Sequence, residues 1–466
     1  MLDDAYIHLA IAKNLASTGT FGLRDTTLAA STSVGWTIVL AVLEFFSVSS
    51  LESIFHLNLL LTFLTSVFAM LALKAQGLNQ STPYFFALFC VVLPFSIWGI
   101  FSGLELSFVN FCFTFFLYII AKNGSCFLVS FASALLLYSR PEFLCLIPFV
   151  TLLVNQRAKF IVLTTFFIAP WFLLNYKSHE RLLPTTYYAK IYLRGLGLEN
   201  FLESPVQLLP TISSMGIKDI EKFFSFFIVK QNLIIGILFL IGMASFNMNR
   251  FTVFLSLGFL TCLLAQSFFT PPSELSNYMG RHWAFYIPIV CYFAALGARA
   301  ILNQFTRGKI FAAVTLVALV FISFFEKWPS LANFLRAGAA STHELYTVMP
   351  KWIAENIDPA EPLVAADIGG LAYFTKNPIY DIMGIASPEM WRLIKRNKDF
   401  SLKTFRRIVD YLSAKGVKYY ILNDRVYGQF LNNCFTKIKT WREKYDHKRY
   451  ISPISLYLYQ TNCQLQ

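Results

Sequence analysis

Two adjacent carboxylates, Asp3 and Asp4, stand at the head of this chain and are its clearest candidates for acid–base chemistry. A carboxylate pair can divide labour, because one member can act as a general base or metal ligand while the other orients it. The residues that follow, from Tyr6 to Leu15, have helical spacing, and acids are also favoured at the start of a helix. From spacing alone the helix-capping role is better supported, and the two roles are compatible.

Further ionisable and aromatic residues occur between long apolar runs. They are Glu105, Arg140, Glu142, Tyr187, Lys190, Arg281 and His282. Each has a structural interpretation as a helix-start acid, a salt-bridged turn, an interfacial tyrosine or a membrane-anchoring cation. Ionisable groups at the edge of a membrane body are nevertheless costly, so together they indicate a function. Cations, hydroxyls and aromatic rings suit a phosphate or a sugar, which makes these residues candidates for substrate binding.

Composition places most of the chain in a membrane. Of 466 residues, 56% are hydrophobic and only 14% are charged, against roughly a quarter in ordinary soluble domains. Charged residues return only after about Trp328. The net charge of +13 does not indicate nucleic-acid binding, because the basic residues lie at the ends of apolar runs, where such residues set membrane orientation.

The pattern predicts a polytopic α-helical membrane protein with a C-terminal soluble α/β domain. Residues 1–53 are predicted to form an outer-face loop with interfacial helices, 54–327 a body of about ten spans, and 328–466 an extracytoplasmic domain. The predicted spans are 54–74, 83–99, 104–120, 125–139, 141–154, 159–176, 223–245, 251–269, 283–302 and 309–325. The fourth and fifth are short, and 34–48 is expected to be re-entrant or interfacial.

The lysine and arginine residues of the short loops predict how the chain is oriented in the membrane. The basic loops after the first, third, fifth, seventh and ninth spans, which hold Lys74, Lys122, Arg157 with Lys159, Arg250, and Arg307 with Lys309, are all predicted to face the cytoplasm. Asp3, Glu105, Arg140 and the tail then face outward. This orientation requires export of Met1 without a leading helix, which favours a preceding apolar span upstream of the sequence given.

The tail alternates predicted strands and helices, which is typical of a partly parallel sheet. Strands are expected at 362–366, 378–382, 417–422 and 454–459. The turn that contains Asp367, at 367–370, lacks the glycine spacing of a dinucleotide-binding loop. Cys434 and Cys463 could form a disulfide if the tail is exported, whereas the other six cysteines lie in or beside apolar runs and are expected to pack as small hydrophobes.

Several short motifs, in register along nearly the whole chain, resemble those of GT-C membrane glycosyltransferases, and most closely the bacterial members similar to mycobacterial cell-wall arabinofuranosyltransferases. They lie at 3–7, 12–15, 31–36, 102–105, 139–142, 183–190, 366–374 and 381–384. The resemblance implies a GT-C-like helical body in the bacterial cytoplasmic membrane. It implies transfer of a sugar from a polyprenyl-phosphate donor to a glycan, lipid or protein acceptor, usually with inversion.

The same resemblance implies that Asp3 or Asp4 is the general base or binds a divalent cation such as Mg²⁺ or Mn²⁺. The phosphate leaving group needs a nearby cation, for which Lys190, Arg140 or Arg281 are candidates. Two other classes stay open at this point. A transporter of lipid-linked glycan would carry charges near mid-membrane, often with inverted repeats, and a scaffold would keep the fold without catalysis.

Overall fold

The computed structural model describes residues 3–23, 31–48, 51–78, 81–192, 220–245, 250–269, 282–305, 307–397, 401–431, 434–442 and 455–461. In these residues a long helical part is followed by a small α/β part. The helices of the first part are α1 (Asp3–Thr18), α2 (Val34–Phe45), α3 (Leu51–Ala75), α4 (Thr82–Val92), α5 (Pro94–Ser102), α6 (Leu106–Ala121), α7 (Cys126–Ser139), α8 (Ile147–Leu153), α9 (Arg157–His179), α10 (Thr185–Tyr192), α11 (Leu233–Ser245), α12 (Arg250–Phe269), α13 (Ile287–Leu302) and α14 (Lys309–His343).

Helices occupy all ten segments predicted to span the membrane. Among the described residues, the stretches long and apolar enough to cross a bilayer are Leu51–Ala75, Arg157–Ser178, Trp283–Leu302 and Lys309–Asn356. The pair α4 and α5 passes the same test together but bends by 53°, so the span predicted at 83–99 is broken. The other apolar helices are shorter, and the fifth predicted span is a 3₁₀ turn, Pro141–Leu146, followed by α8. The number of crossings therefore stays a prediction.

A second helix interruption, at Gln231 and Asn232, stabilises the break between α4 and α5. Pro94 begins α5, and the backbone N–H of Phe95 donates to Gln231 Oε1 at 2.9 Å. Asn232 follows the π-helical turn Phe226–Gln231. Its side-chain oxygen accepts from the backbone N–H of Ile235 in α11, and its side-chain nitrogen donates to the Val320 carbonyl at 3.1 Å. Irregular backbone is tolerated at membrane depth where protein groups satisfy it in this way.

Two glycines set the crossing of α11 and α13. A Cβ on Gly242 would lie 1.8 Å from the carbonyl oxygen of Phe293, and a Cβ on Gly297 would lie 2.0 Å from that of Leu238. Such approach of two backbones is possible only between small residues. The crossing fixes α13, whose N-terminal end follows the 3₁₀ turn Trp283–Tyr286 beside the candidate site.

The C-terminal part contains five strands, β1 (Leu363–Ala365), β2 (Ile379–Asp381), β3 (Tyr419–Asn423), β4 (Phe435–Arg442) and β5 (Ser455–Thr461), in the order β2-β1-β3-β5-β4. Strand β1 is parallel to β2 and β3, whereas β5 is antiparallel to β3 and β4. The helices of this part are α15 (Met349–Asn356), α16 (Gly369–Phe374), α17 (Pro388–Asn397), α18 (Leu402–Ala414) and α19 (Asp424–Tyr427). The partly parallel sheet is confirmed, and β4 is a strand that the sequence analysis missed.

Cysteine chemistry differs between the two parts. Cys434, in the tail, is disulfide-bonded, while Cys463 lies outside the described residues. The six cysteines of the helical part are free thiols, four of them fully buried, as expected for small packing residues.

Candidate functional site

The N-terminal end of α1 is held directly against the C-terminal part. Asp3 Oδ1 accepts a hydrogen bond from the backbone N–H of Gly370 at 3.0 Å. A Cβ on Gly369 would lie 2.0 Å from the carbonyl oxygen of Asp3, and a Cβ on Gly370 would lie 2.5 Å from that of Tyr346. Both glycines are therefore required for the approach, and the carboxylate is positioned by backbone rather than by a flexible side chain.

One turn further along α1, Tyr6 extends the same contact. Its hydroxyl shares a hydrogen bond of 3.0 Å with Thr347 Oγ1. Its ring lies 5.6 Å from the ring of Tyr373 and 5.4 Å from that of Phe374. Tilted aromatic pairs at these distances are favourable, so α1 and α16 form one packed unit.

Three carboxylates converge at this contact. Burial, followed by the negative charge of Asp367, raises the pKa of Asp3 well above its usual range. Burial and the charge of Asp4 raise the pKa of Asp367 to about 6, against a hydrogen bond from Tyr346 that lowers it. This contact thus has an excess of negative charge, which favours a proton, a cation or the hydroxyl of an acceptor.

The described residues contain no group of three or more His, Cys, Asp or Glu side chains arranged to hold a metal ion. One oxygen of Asp3 already accepts from backbone. Binding of a divalent cation by Asp3 and Asp4 stays a prediction, and it requires ligands from the substrate or from residues outside the described part.

His8, on the same helix as Asp3 and Asp4, belongs to a second polar cluster. It lies four residues after Asp4, which places the two on one face of α1. His8 Nδ1 is 2.8 Å from Thr37 Oγ1 and 3.2 Å from Ser31 Oγ, and its Nε2 is 3.7 Å from Glu105 Oε2. All of these side chains except that of Asp4 are buried.

The centre of the second cluster is a buried arginine between two glutamates. Arg140 donates through Nε and NH2 to both oxygens of Glu142, at 3.1 and 2.5 Å, and through NH1 to Glu105 at 3.0 Å and Thr32 at 3.3 Å. Its guanidinium lies 4.5 Å from the centre of the Phe285 ring. Two carboxylates and one guanidinium leave this cluster with a net charge of −1 if His8 is neutral.

A cavity of about 130 Å³ opens beside the arginine. Thr32, Arg140 and Glu142 form its polar end, and the rest is largely apolar. Its remaining lining residues are Pro141, Leu144, Cys145, Leu183, Pro184, Thr186 and Tyr187. A cavity with one charged end and an apolar wall can take a ligand that has a polar head and a hydrocarbon chain.

The structure brings together most of the residues predicted from the sequence. Glu105, Arg140 and Glu142 form one cluster, and Tyr187 lines its cavity. His282 is buried, with its ring 6.2 Å from that of Phe285, on which Arg140 stacks. Arg281 and the side chain of Lys190 lie outside the described residues.

Three participants were missed in the sequence analysis. His8 carried a signal, because its position four residues after Asp4 predicts a shared helix face. Asp367 was identified only as part of a turn, since its approach to Asp3 joins residues more than 360 positions apart in the chain. Thr32 belonged to a recognised motif, but nothing in its spacing indicated Arg140.

Comparison with known proteins identifies the fold but no close relative. A family described as "Domain of unknown function (DUF8728)" matches residues 334–459, about a quarter of the chain. No curated protein matches. Two crystal structures of ArnT from Cupriavidus metallidurans are similar, and each alignment covers 97% of this chain and 93% of ArnT. The one bound to undecaprenyl phosphate has 11% identity and a TM-score of 0.52, and the apo one has 12% and 0.44. The chain therefore shares the overall fold of the ArnT structure that has the TM-score of 0.52.

Proposed function

We propose that this protein is a membrane glycosyltransferase of the GT-C type, which moves a sugar from a polyprenyl-phosphate donor to an envelope glycan, lipid or protein acceptor with inversion. The observation that carries the proposal is that two groups of polar side chains lie about one helical turn apart along α1. One group contains the carboxylates of Asp3, Asp4 and Asp367, and the other contains His8 and the Arg140 cluster with its cavity.

The fold supports the class of donor. The ArnT structure with the TM-score of 0.52 was crystallised with undecaprenyl phosphate, a polyprenyl carrier. In this chain the apolar wall formed by Leu144, Leu183 and Pro184 suits a prenyl chain, and the polar end at Thr32, Arg140 and Glu142 suits the hydroxyl groups of the sugar.

The two aspartates have different proposed roles. Asp3 is buried and accepts from the Gly370 backbone, which suits a positioning residue. Asp4 is only partly buried and shares a helix face with His8, which suits a general base that takes the proton from an acceptor hydroxyl. The attack of that oxygen on the anomeric carbon breaks the bond to the phosphate, and polyprenyl phosphate leaves.

The leaving phosphate gains negative charge and needs a cation. Because Arg140 is already neutralised by Glu105 and Glu142, its proposed role is to orient the cavity wall. In α10, position 190 comes four residues after Thr186 and three after Tyr187, both of which line the cavity. This spacing places position 190 on the same face of the helix as these two residues. We assign Lys190, with Arg281 or a divalent cation, to the phosphate.

We further propose that the protein lies in the bacterial cytoplasmic membrane with its C-terminal part outside. The disulfide at Cys434 supports this side, because disulfides persist in oxidising compartments. A transporter of lipid-linked glycan is the second candidate, and a non-catalytic scaffold of this fold the third. Neither accounts for three carboxylates gathered at a contact between α1 and α16.

Genetic complementation tests the proposal. A deletion strain is complemented with the wild type, with Asp4→Asn, or with Glu355→Gln, a matched change at an exposed position of α15. Mass spectrometry of lipid-linked sugars and envelope glycans should show restored transfer with the wild type and the control, and accumulated donor with Asp4→Asn. Full restoration by Asp4→Asn would contradict the proposed base. A glycan profile unaltered by deletion would favour the scaffold.

A further inference from the structure

A second cavity lies at the opposite end of the helical body from the carboxylates. It has a volume of about 200 Å³ and lies between the N-terminal ends of α4 and α14 and the C-terminal end of α13. Its lining residues are Ser81, Thr82, Arg299, Leu302, Asn303, Lys309, Ile310 and Ala313. From Phe285, which stacks on Arg140, to Leu302 the chain rises about 25 Å at helical spacing, so this cavity is separate from the candidate active site.

The polar wall of this cavity is suited to an anion. Arg299 and Lys309 come from two different helices, and hydroxyl and amide groups stand beside them at Ser81, Thr82 and Asn303. Lys309 Nζ also lies 3.4 Å from Asn303 Oδ1, which holds the ammonium at the cavity. No acidic residue is among those lining it. An uncompensated cation pair with hydrogen-bond donors matches a phosphate group.

The surroundings add charge and apolar surface. The helix ends and connections at this end of the body carry only basic charges, at Lys74, Lys122, Arg157, Lys159, Arg250, Arg299, Arg307 and Lys309. The first turn of α14 exposes Ile310 at 82% and Phe311 at 78% beside the cavity, and Val314 in the second turn is exposed at 61%. A free phosphate ion would use the cations but not this apolar turn, whereas a phospholipid uses both.

We propose that this cavity binds the phosphate headgroup of an anionic phospholipid, whose acyl chains lie along the first turn of α14. The cavity lies at the end of the body that the loop charges assign to the cytoplasm, where anionic lipids attract basic residues. The bound lipid would hold α4, α13 and α14 together at this end. The site is independent of the proposed glycosyl transfer, because it shares no residue with the carboxylate site.

Native mass spectrometry of the purified full chain tests the site with phosphatidylglycerol and phosphatidylcholine. The wild type should retain phosphatidylglycerol at least about tenfold better than phosphatidylcholine. Arg299→Gln with Lys309→Gln should lose roughly tenfold in retention of phosphatidylglycerol. Lys122→Gln with Arg157→Gln removes the same charge from the same end of the body but outside the cavity, and should bind like the wild type.

Other outcomes overturn the site. Equal retention of the two lipids by the wild type, or equal loss in the double variant and its control, would mean general charge attraction only. Thermal stabilisation of the lipid-free protein by excess inorganic phosphate, as large as that by phosphatidylglycerol, would assign the cavity to a free ion instead. Arg299→Lys with Lys309→Arg keeps both charges and should bind normally. This variant separates loss of the site from loss of the fold.

Discussion

At the scale of single residues, Arg140 combines an ion-pairing role in the structure with a proposed role beside the donor cavity. Its guanidinium satisfies Glu105 and Glu142, and removal of one partner from a buried charge cluster costs about 3–5 kcal/mol. We expect Arg140→Met to unfold or strongly destabilise the protein, because two buried carboxylates lose their counter-ion. Thermal unfolding of the purified full chain measures this loss.

A compensated variant separates the two roles of Arg140. Combining Arg140→Met with Glu105→Gln and Glu142→Gln removes all three charges, so most of the stability should return while transfer stays impaired. Recovery of both stability and transfer would show that the cluster has no part in substrate binding.

In the C-terminal part, the buried carboxyl of Asp381 predicts that the stability of the fold depends on pH. The Asp381 carboxylate accepts from the backbone N–H groups of Met383 at 2.8 Å and Ala386 at 2.9 Å, yet burial raises its pKa to about 6. The folded chain therefore keeps a proton that the unfolded chain releases near pH 4. The resulting stability is present below about pH 4 and is lost as the pH rises through about 6.

We expect Asp381→Asn to flatten the fall in thermal stability between about pH 4 and pH 6.5. The control is Asp358→Asn, whose side chain is exposed. It should keep the slope of the wild type. Identical slopes in the wild type and Asp381→Asn would contradict the raised pKa.

At the scale of elements, the contact between α1 and α16 determines whether the site assembles. Gly369 allows the Asp3 backbone to approach to a distance at which no Cβ fits. Gly369→Ala should therefore displace the start of α1, and a displacement of about 1 Å at a reacting group lowers activity by roughly 10²-fold. Transfer activity is measured alongside membrane insertion, which should be unchanged.

The matched control for this change is Gly338→Ala. Gly338 lies in α14, and a Cβ there meets nothing within 4 Å. Activity equal to that of the wild type is expected, with stability unchanged or higher because alanine favours a helix. If both variants retain full activity, the tight approach of α16 to Asp3 does not position the site.

For the whole molecule, the sequence predicted what depends on local pattern. Apolar runs located helices in all ten predicted segments, and alternation in the tail located every strand but β4. Strand β4 (Phe435–Arg442) was missed because its apolar residues, Phe435, Ile438 and Trp441, are three positions apart and not two. The pairing of β4 with β5 accordingly has a register shift between Lys437 and Lys439. The break at Pro94 was not predicted, because Gln231, which accepts from the Phe95 backbone, lies 136 residues after Phe95 in the chain.

The site was predictable only in part, for the same reason. Residue type and outward placement identified Glu105, Arg140 and Glu142 before any geometry was known, and the structure joins them. Pairing of His8 with Glu105, and of Asp3 with Gly370, depends on how distant segments pack. Neither apolar periodicity nor turn residues carry that information.

We propose above all that the carboxylates of α1 catalyse transfer from a lipid-phosphate donor. The most direct test of this proposal incubates the purified full chain with detergent-solubilised cell envelopes of the deletion strain, which supply donor and acceptor, and follows lipid-linked sugar and released polyprenyl phosphate by mass spectrometry. The wild type and Glu355→Gln should consume the lipid-linked sugar and release polyprenyl phosphate, whereas Asp4→Asn should be slower by about 10²–10⁴-fold. Consumption by Asp4→Asn at the rate of the wild type, or no consumption by any variant, would contradict the account.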